Sequence, residues 1–526
     1  MEKAILELIK LNISDTKDLM KIKRKIAKKY GIEILKNSDI LNIYRQQVEV
    51  KKIKPNFKLE KLLRKRSIRT LSGIAPVAVL TKPYPCPGKC VYCPTEKDVP
   101  QSYLSNEPAV MRAIRCNYNP YKQVQLRLRA LEANGHNPEK IELIVIGGTW
   151  SVLPKKYKYW YIASLFAGAN KFKIKNSKLK IPITKSLEEL KRDLIREQKK
   201  NEKAKYKIVG LTLETRPDYI NEKEILEIRE LGCTRVEIGV QAIDNKILKL
   251  NQRGHGIKEI VDATKFLKNY GFKVTYHIMP GLPGSTATKD FKMFEKIFTD
   301  QRFQPDQIKF YPTVVTKGSL LYKWWRVGKY KPYSDKVLQN LIKKCKNIVP
   351  PYVRIIRLIR DIPGESIMAG NLITNLRQII KNKGISCQCI RCREARERKF
   401  KVKNLKLNII KYRASQGDEY FLEYTDKSKK ILYGFCRLRL AKFNNILLGD
   451  NIALIRELHV YGELVPVGKK KIIQHVGLGK KLMARAESIA RQQGYKKIAV
   501  ISGIGVRGYY RKLGYRLNNG YMFKNL

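Results

Sequence analysis

Cys86, Cys90 and Cys93 stand within eight residues, in the stretch Pro85–Pro94. Their C-x3-C-x2-C spacing puts three thiolates on one short loop. Such a loop can hold three corners of a cubic iron–sulfur cluster and leave the fourth iron open. An electron-transfer cluster takes four cysteines. The open iron suits a bound small molecule, and S-adenosylmethionine at that iron is a source of radicals. A structural zinc is the alternative reading, but it calls for a nearby fourth Cys or His. The next cysteine, Cys116, is well past the loop.

A second group, Cys387, Cys389 and Cys392, has C-x-C-x2-C spacing and runs into a charged segment, Arg393–Arg398. Three thiolates this close suit a structural zinc that fastens two large domains together. A second iron–sulfur cluster or three incidental cysteines are the alternatives. A fourth ligand is not evident nearby; His277 or a carboxylate could close the site through the fold. A third pattern, Gln474, His475, Val476, Gly477, Leu478 and Gly479, opens a helix. Its glycines free backbone N–H groups to meet a pyrophosphate at the helix N-terminus.

These groups must be held by a chain of 526 residues, enough for two or three domains. Residues 1–70 read as helical and very basic, with Ile5, Leu8 and Ile9 at helical spacing and basic runs at 21–29 and 61–69. Residues 71–385 alternate strands (Pro76–Thr81, Ile141–Ile146, Lys207–Leu213, Arg235–Val240, Lys273–Ile278 and Gln307–Tyr311) with helices such as Tyr121–Ala133 and Ile257–Tyr270. That alternation predicts an α/β fold with a parallel sheet, an open or partial (β/α) barrel. Its functional groups belong at the C-terminal strand ends, where Gly147, Gly148, Glu214, Arg216, Glu237 and Gln241 fall. Gly147 and Gly148 let backbone approach a cofactor, or form a plain turn. Glu237 and Gln241 could bond ribose or substrate, or make ordinary ion pairs and hydrogen bonds. Lys309 is a possible uridine or acetyl-CoA contact, or a surface lysine. Lys171–Lys205 reads as a helical surface excursion. Residues 386–400 form the second metal-binding linker. Residues 401–526 read as an α+β domain: strands Tyr420–Tyr424, Ile431–Leu438 and Ala453–Val460, a helix Gly477–Gly494, and a strand Ile498–Ser502.

The net charge is +62, from 108 Lys and Arg against 46 Asp and Glu. Such a field points to a polyanionic partner, nucleic acid first, although a lysine-rich proteome would raise the background. Ten cysteines in two tight clusters plus single residues are not a disulfide scaffold and suit a reducing compartment. No secretory signal is legible at the N-terminus and no apolar run is long enough to span a bilayer. The expectation is a cytoplasmic protein with no membrane partner.

The first cysteine triad resembles that of the radical-SAM superfamily. Further segments resemble one family within it: Leu211–Asp218, Gly239–Gln241, Met279–Gly284, Lys309–Thr313, Glu107–Arg115 and Tyr118–Pro120. That family is the catalytic subunit of the Elongator complex, a radical-SAM protein fused to a GNAT-type acetyltransferase domain. The likeness runs from about Ser72 to Tyr515. It implies a 4Fe-4S cluster on Cys86, Cys90 and Cys93, zinc in the linker, and acetyl-CoA at the Gln474–Gly479 loop. It also implies that Arg456–Gly462 lines the acyl channel and that Tyr509 and Tyr510 flank the thioester. Aromatic packing is the other reading of the tyrosine pair, and adjacent helical residues diverge by about 100°, so one of them would reach the sulfur. Glu457 and His459, two apart on a strand, share a face; they could move protons or water, or form an ion pair. The implied activity is tRNA wobble-uridine modification. A deoxyadenosyl radical takes hydrogen from the acetyl methyl, the carbon radical adds to uridine C5, and thioester hydrolysis leaves a carboxymethyl group. The implied partners are tRNA and either a second copy or Elongator-like subunits. A protein lysine acetyltransferase with a structural radical-SAM half is the alternative, and a tRNA-binding assembly subunit that gates acetyl-CoA is a third reading.

Overall fold

The computed structural model describes residues 1–65, 70, 72–172, 181–373, 375–382, 384–395, 405–462 and 477–526. Seven parallel strands build its larger sheet: Ala75–Leu80, Lys140–Ile146, Lys207–Thr215, Arg235–Gln241, Lys273–Ile278, Gln307–Phe310 and Arg354–Arg357. They lie side by side in chain order. The two end strands do not pair with each other among the described residues, so the sheet curls into a half-barrel. Interior strands are covered on both faces, and Arg235–Val240 is buried throughout. Six strands match the periodicity. The seventh, Arg354–Arg357, is a short edge strand with an arginine at each end, which gives an apolar pattern nothing to register.

The smaller sheet runs Lys406–Ala414, Gly417–Thr425, Leu432–Leu440, Ile452–Val460, Lys497–Val500, Tyr521–Asn525, Arg516–Asn518. Its pairings are antiparallel except that of Ile452–Val460 with Lys497–Val500. One face of the Leu478–Gln492 helix, at Leu482, Met483, Ala486 and Ala490, packs on Leu422, Cys436, Leu438 and Ile455. The sequence pattern missed Lys406–Ala414 and the C-terminal hairpin. The former is an edge strand with much of its surface exposed. The latter is short strands around the Asn519–Gly520 turn.

The first helices, Glu2–Lys10, Thr16–Tyr30, Asn37–Glu49 and Phe57–Leu63, enclose their own core around Ile5, Leu8, Ile26, Leu41 and Tyr44. Asp15 starts the second helix by accepting from the backbone of Lys17 and Asp18. The group docks on the barrel through Arg45 Nη1, which donates to Glu132 O over 2.7 Å, and Arg64 Nε, which donates to Gly135 O over 3.1 Å. Within the lysine-rich segment the helix Leu187–Asn201 is no surface excursion. It starts at a Ser186–Glu189 capping box and buries Leu190 and Leu194 in the main core, leaving its lysines on the outer side.

The two sheets meet across a seam of buried charge. Arg456 Nη1 donates to Asp306 Oδ1 and to Glu419 Oε2, each over 3.0 Å. Arg439 Nη1 reaches Glu419 Oε1 at 3.1 Å. Lys268 Nζ stands 3.5 Å from Asp306 and 3.6 Å from Glu419. All five residues are buried. Asp306 and Lys268 come from the half-barrel, the other three from the smaller sheet. The apolar core is also continuous across the seam, joining Tyr352 and Ile355 to Phe421, Leu432 and Tyr461.

Candidate active site

The cysteine loop leaves the C-terminal end of the first barrel strand and is tied down from several sides. Val91 N donates to Asn251 O (3.2 Å), Leu321 N to Val91 O (2.8 Å) and Thr95 N to Gly318 O (3.2 Å). All three thiols are partly accessible. Cys86 Sγ lies 3.7 Å from Thr149 Oγ1, and Cys90 Sγ accepts from Arg253 Nη1 at 3.0 Å. Burial pushes the Cys93 thiol up to about 12, with Cys90 adding to the rise. The three sulfurs do not gather within 4.8 Å of one another, as those of the second cysteine group do. Thiolates on one zinc ion lie about 3.8 Å apart, from the Zn–S length and tetrahedral angle. Thiolates on three separate irons lie wider. The looser triad therefore fits a cluster better than a single ion.

Around this loop the strand ends supply polar groups. Gly147 has φ +134° and Gly148 φ +94°. A Cβ on Gly147 would fall 2.2 Å from Thr81 Oγ1, so only glycine fits there. Gln241 holds φ +67°, unusual for a side chain other than Asn or Asp. Its Oε1 is buried without a partner. Arg216 forks onto Asp218 (3.0 and 2.8 Å), while its Nη1 is buried without a partner. A Cβ on Gly88 would meet that nitrogen at 2.4 Å, so the cysteine loop rests directly on Arg216. Orphaned donors and acceptors beside three thiols and a glycine-lined mouth fit a polar cofactor.

Deeper in the barrel Glu237 is paired. Lys309 Nζ bonds its Oε2, as does His277 Nε2 at 3.0 Å. Burial pushes Glu237 up, but Lys309 and His277 outweigh it and hold the carboxyl well below its usual range. His277 Nδ1 stands 3.5 Å from Glu214, which accepts from Tyr103 Oη at 3.0 Å. Lys309 is therefore a buried partner of Glu237 and no surface lysine. His277 belongs to this barrel network and does not join the second cysteine group. The sequence reading missed Tyr103, Arg253 and this use of His277. The signal it had was a histidine inside a buried strand, which burial obliges to be bonded.

Cys387, Cys389 and Cys392 bring their sulfurs within 4.8 Å of one another. Ile390 N donates to Val353 O beside the barrel's edge strand, and Ala395 N to Leu432 O on the smaller sheet. The segment thus bridges the two sheets, beside Arg393–Glu423 and Arg354–Glu394 ion pairs of 2.8 and 2.7 Å.

In the smaller sheet, Ile452–Val460 pairs with Lys497–Val500 only over Ile452–Ile455. Beyond Ile455 the two strands part and leave an opening. The helix N-terminus at Gly477, with φ +76°, faces it. A Cβ on Gly479 would sit 2.8 Å from Tyr509 Oη, and that hydroxyl is buried without a partner. Tyr510 turns the other way into the core against Tyr515. Gln474, His475 and Val476 lie outside the described residues.

Glu457 and His459 share a face of the strand and sit in the seam. Glu457 accepts from Arg437 Nε (3.0 Å), with Lys273 at 3.5 Å. Burial raises its pKa, but Lys273 and Arg437 outweigh burial and hold it at about 2. His459 Nε2 bonds Ser72 O at 3.2 Å. The ring lies against Phe435 and Tyr461. Burial pushes its pKa down to about 4, so the ring is neutral near pH 7.

A curled parallel sheet with a cysteine triad at its mouth defines a radical-SAM protein. A Radical SAM superfamily model matches residues 84–295, and a Radical_SAM C-terminal domain model matches 305–384. The chain is 45% identical over 475 residues to a tRNA uridine(34) acetyltransferase of Dehalococcoides mccartyi, covering 88% of this chain and 100% of that one. It is 38% identical over 535 residues to Elongator complex protein 3 of Homo sapiens, covering 97% and 93%. The structure of Methanocaldococcus infernus Elp3 with an N-terminal deletion superposes with a TM-score of 0.74 at 40% identity, covering 87% of this chain and 100% of that one. The chain belongs to the family of the tRNA uridine(34) acetyltransferases and Elongator complex protein 3.

Proposed function

We propose that this enzyme builds a carboxymethyl group on C5 of the tRNA wobble uridine from acetyl-CoA, using S-adenosylmethionine radical chemistry. The observation that carries this reading is the pairing of two openings on one frame. The cysteine-lined barrel mouth and the Gly477–Tyr509 opening are locked together by the Asp306–Arg456–Glu419 seam. Acetyl transfer alone gives no reason for the first opening.

Cys86, Cys90 and Cys93 would hold a 4Fe-4S cluster. Bound there, it would supply the electron that splits S-adenosylmethionine. The bare backbone at Gly147 and Gly148 suits the methionine end of that cofactor, and the unpartnered Gln241 Oε1 suits a ribose hydroxyl. Glu237 and Lys309 neutralise each other and shape the barrel floor. Tyr509 Oη is the free donor at the thioester end of the second opening, and Tyr510 supports it by packing. N–H groups at Gly477, Leu478 and Gly479 meet the pyrophosphate, with Gln474, His475 and Val476 completing that loop. Glu457, held ionised by Arg437 and Lys273, fixes the strand. His459 keeps its proton on Nε2 toward Ser72 O, leaving Nδ1 to accept one from water during thioester hydrolysis. Cys387, Cys389 and Cys392 would hold zinc as a fastener between the sheets. Their sulfur spacing supports this.

The net charge of +62 and the exposed Lys21, Arg24, Lys25 and Lys28 of the first 70 residues support tRNA as partner. Among the described residues no helix is long and apolar enough to cross a membrane. The enzyme works in the cytoplasm, as a homodimer or within an Elongator-like assembly. Two measurements test the reading. Deoxyadenosine should form with wild type and not with Cys90→Ala protein that still binds tRNA. The logarithm of tRNA affinity should fall steeply with that of salt concentration. A flat salt dependence, or modification persisting in Cys90→Ala, would refute it.

A further inference from the structure

Beneath the cysteine loop lies a cation that no carboxylate matches. Arg253 is 5% exposed. Its Nη1 donates to Cys90 Sγ at 3.0 Å, and its Nη2 to Gly239 O at 2.6 Å. Its Nε has no partner. The nearby acid, Asp218, is taken by the two-pronged bond from Arg216, whose Nη2 also donates to Arg253 O at 2.7 Å. Among the described residues no carboxylate stands within ion-pair distance of Arg253. A buried guanidinium is stable only when its charge is answered. Here the group aimed at it is a sulfur of the triad.

We propose that Arg253 is the counter-charge of the iron–sulfur site: its hydrogen bond to the Cys90 sulfur and its unmatched positive charge make the bound cluster easier to reduce. This rests on the reading that the triad holds a 4Fe-4S cluster. Taking up an electron makes a cluster more negative, and a fixed cation one hydrogen bond from a ligand sulfur favours that reduced state. Hydrogen bonds to cluster sulfurs and local charge are the levers that set such potentials. Arg216, neutralised by Asp218, contributes far less. It instead fixes the backbone of Arg253 and supports Gly88 of the loop. Arg253 is thus a positioning and tuning residue for radical initiation, and it touches neither uridine nor acetyl-CoA.

The test compares anaerobically reconstituted full-length wild type, Arg253→Met and Arg253→Lys. Iron and sulfide are counted first, and the midpoint potential is then read by EPR-monitored titration without S-adenosylmethionine. Cluster-replete Arg253→Met should reduce at a more negative potential. The expected change is at least tenfold in the reduction equilibrium, roughly 59 mV for one electron. Arg253→Lys should recover most of it. An unchanged potential in cluster-replete Arg253→Met would overturn the proposal. Wild type that binds no iron would instead overturn the cluster reading itself. If the methionine variant loads no iron, wild type grown with 15N-arginine decides: pulsed EPR of the reduced cluster should show coupling to a guanidinium nitrogen, and its absence overturns the proposal.

Discussion

Replacing Arg456 by Met should loosen the two sheets from each other. The guanidinium donates to both Asp306 oxygens, to both Glu419 oxygens and to Phe272 O. All three charged groups are at most 1% exposed. Methionine fills much of the volume but leaves two buried carboxylates facing a diminished set of cations. Lys268 remains 3.5 Å from Asp306, and Arg439 remains 3.1 Å from Glu419. Breaking one side of a buried ion network costs about 3–5 kcal/mol. Urea unfolding of the full chain, followed by tryptophan fluorescence, should show that loss as a lower midpoint with an unchanged slope. Asp306→Asn should be comparably costly by itself. The double variant should cost less than the two single losses together, with a coupling of about 2 kcal/mol or more, since both remove the same bond. A loss under about 1 kcal/mol for Arg456→Met, or strict additivity with Asp306→Asn, would refute the claim that this seam holds the two openings in one frame.

Three further outcomes follow from the geometry. Tyr509→Phe should cut tRNA-dependent acetyl-CoA hydrolysis by about tenfold to a hundredfold, as loss of one donor at a developing oxyanion does; a thermal melt should be nearly unchanged, whereas Tyr510→Ala should lower it. Cys389→Ser should lower bound zinc while sparing iron on the first triad, read by elemental analysis of pure protein; equal loss of both metals would contradict two separate sites. His459 should make stability fall between pH 6.5 and about 4. Its folded pKa lies below its unfolded one, so the unfolded chain takes up the proton first. The contribution is complete above 6.5 and is lost as pH falls through that window, at most ~3 kcal/mol. The melting temperature of His459→Gln should depend less on pH across that window than that of wild type.

The chemistry-bearing patterns were legible because they are local. Three cysteines on one loop, or glycines opening a helix, fix each other's neighbourhood through a few bonds of chain. The parallel strands were legible too, because both faces are buried and the apolar runs are continuous. Edge strands were not. Arg354–Arg357 and Lys406–Ala414 answer to only one neighbour and carry charge that masks any period. The charged residues were the hardest to read. Nothing near Lys309 or Glu237 in sequence shows that they meet, since the fold brings together positions 72 apart. Arg253 and Cys90 are 163 apart. Arg456 reads as one more basic residue in a chain with 108 of them. Burial, which long-range packing alone decides, turns it into a clamp.

The most direct measurement incubates anaerobically reconstituted protein with S-adenosylmethionine, acetyl-CoA, a reductant and unmodified tRNA, then digests the tRNA for mass spectrometry. The account predicts carboxymethyluridine at the wobble position, dependent on every component and lost with Cys90→Ala. Protein with intact cluster and bound tRNA that yields no carboxymethyluridine, while acetylating protein lysines, would contradict it.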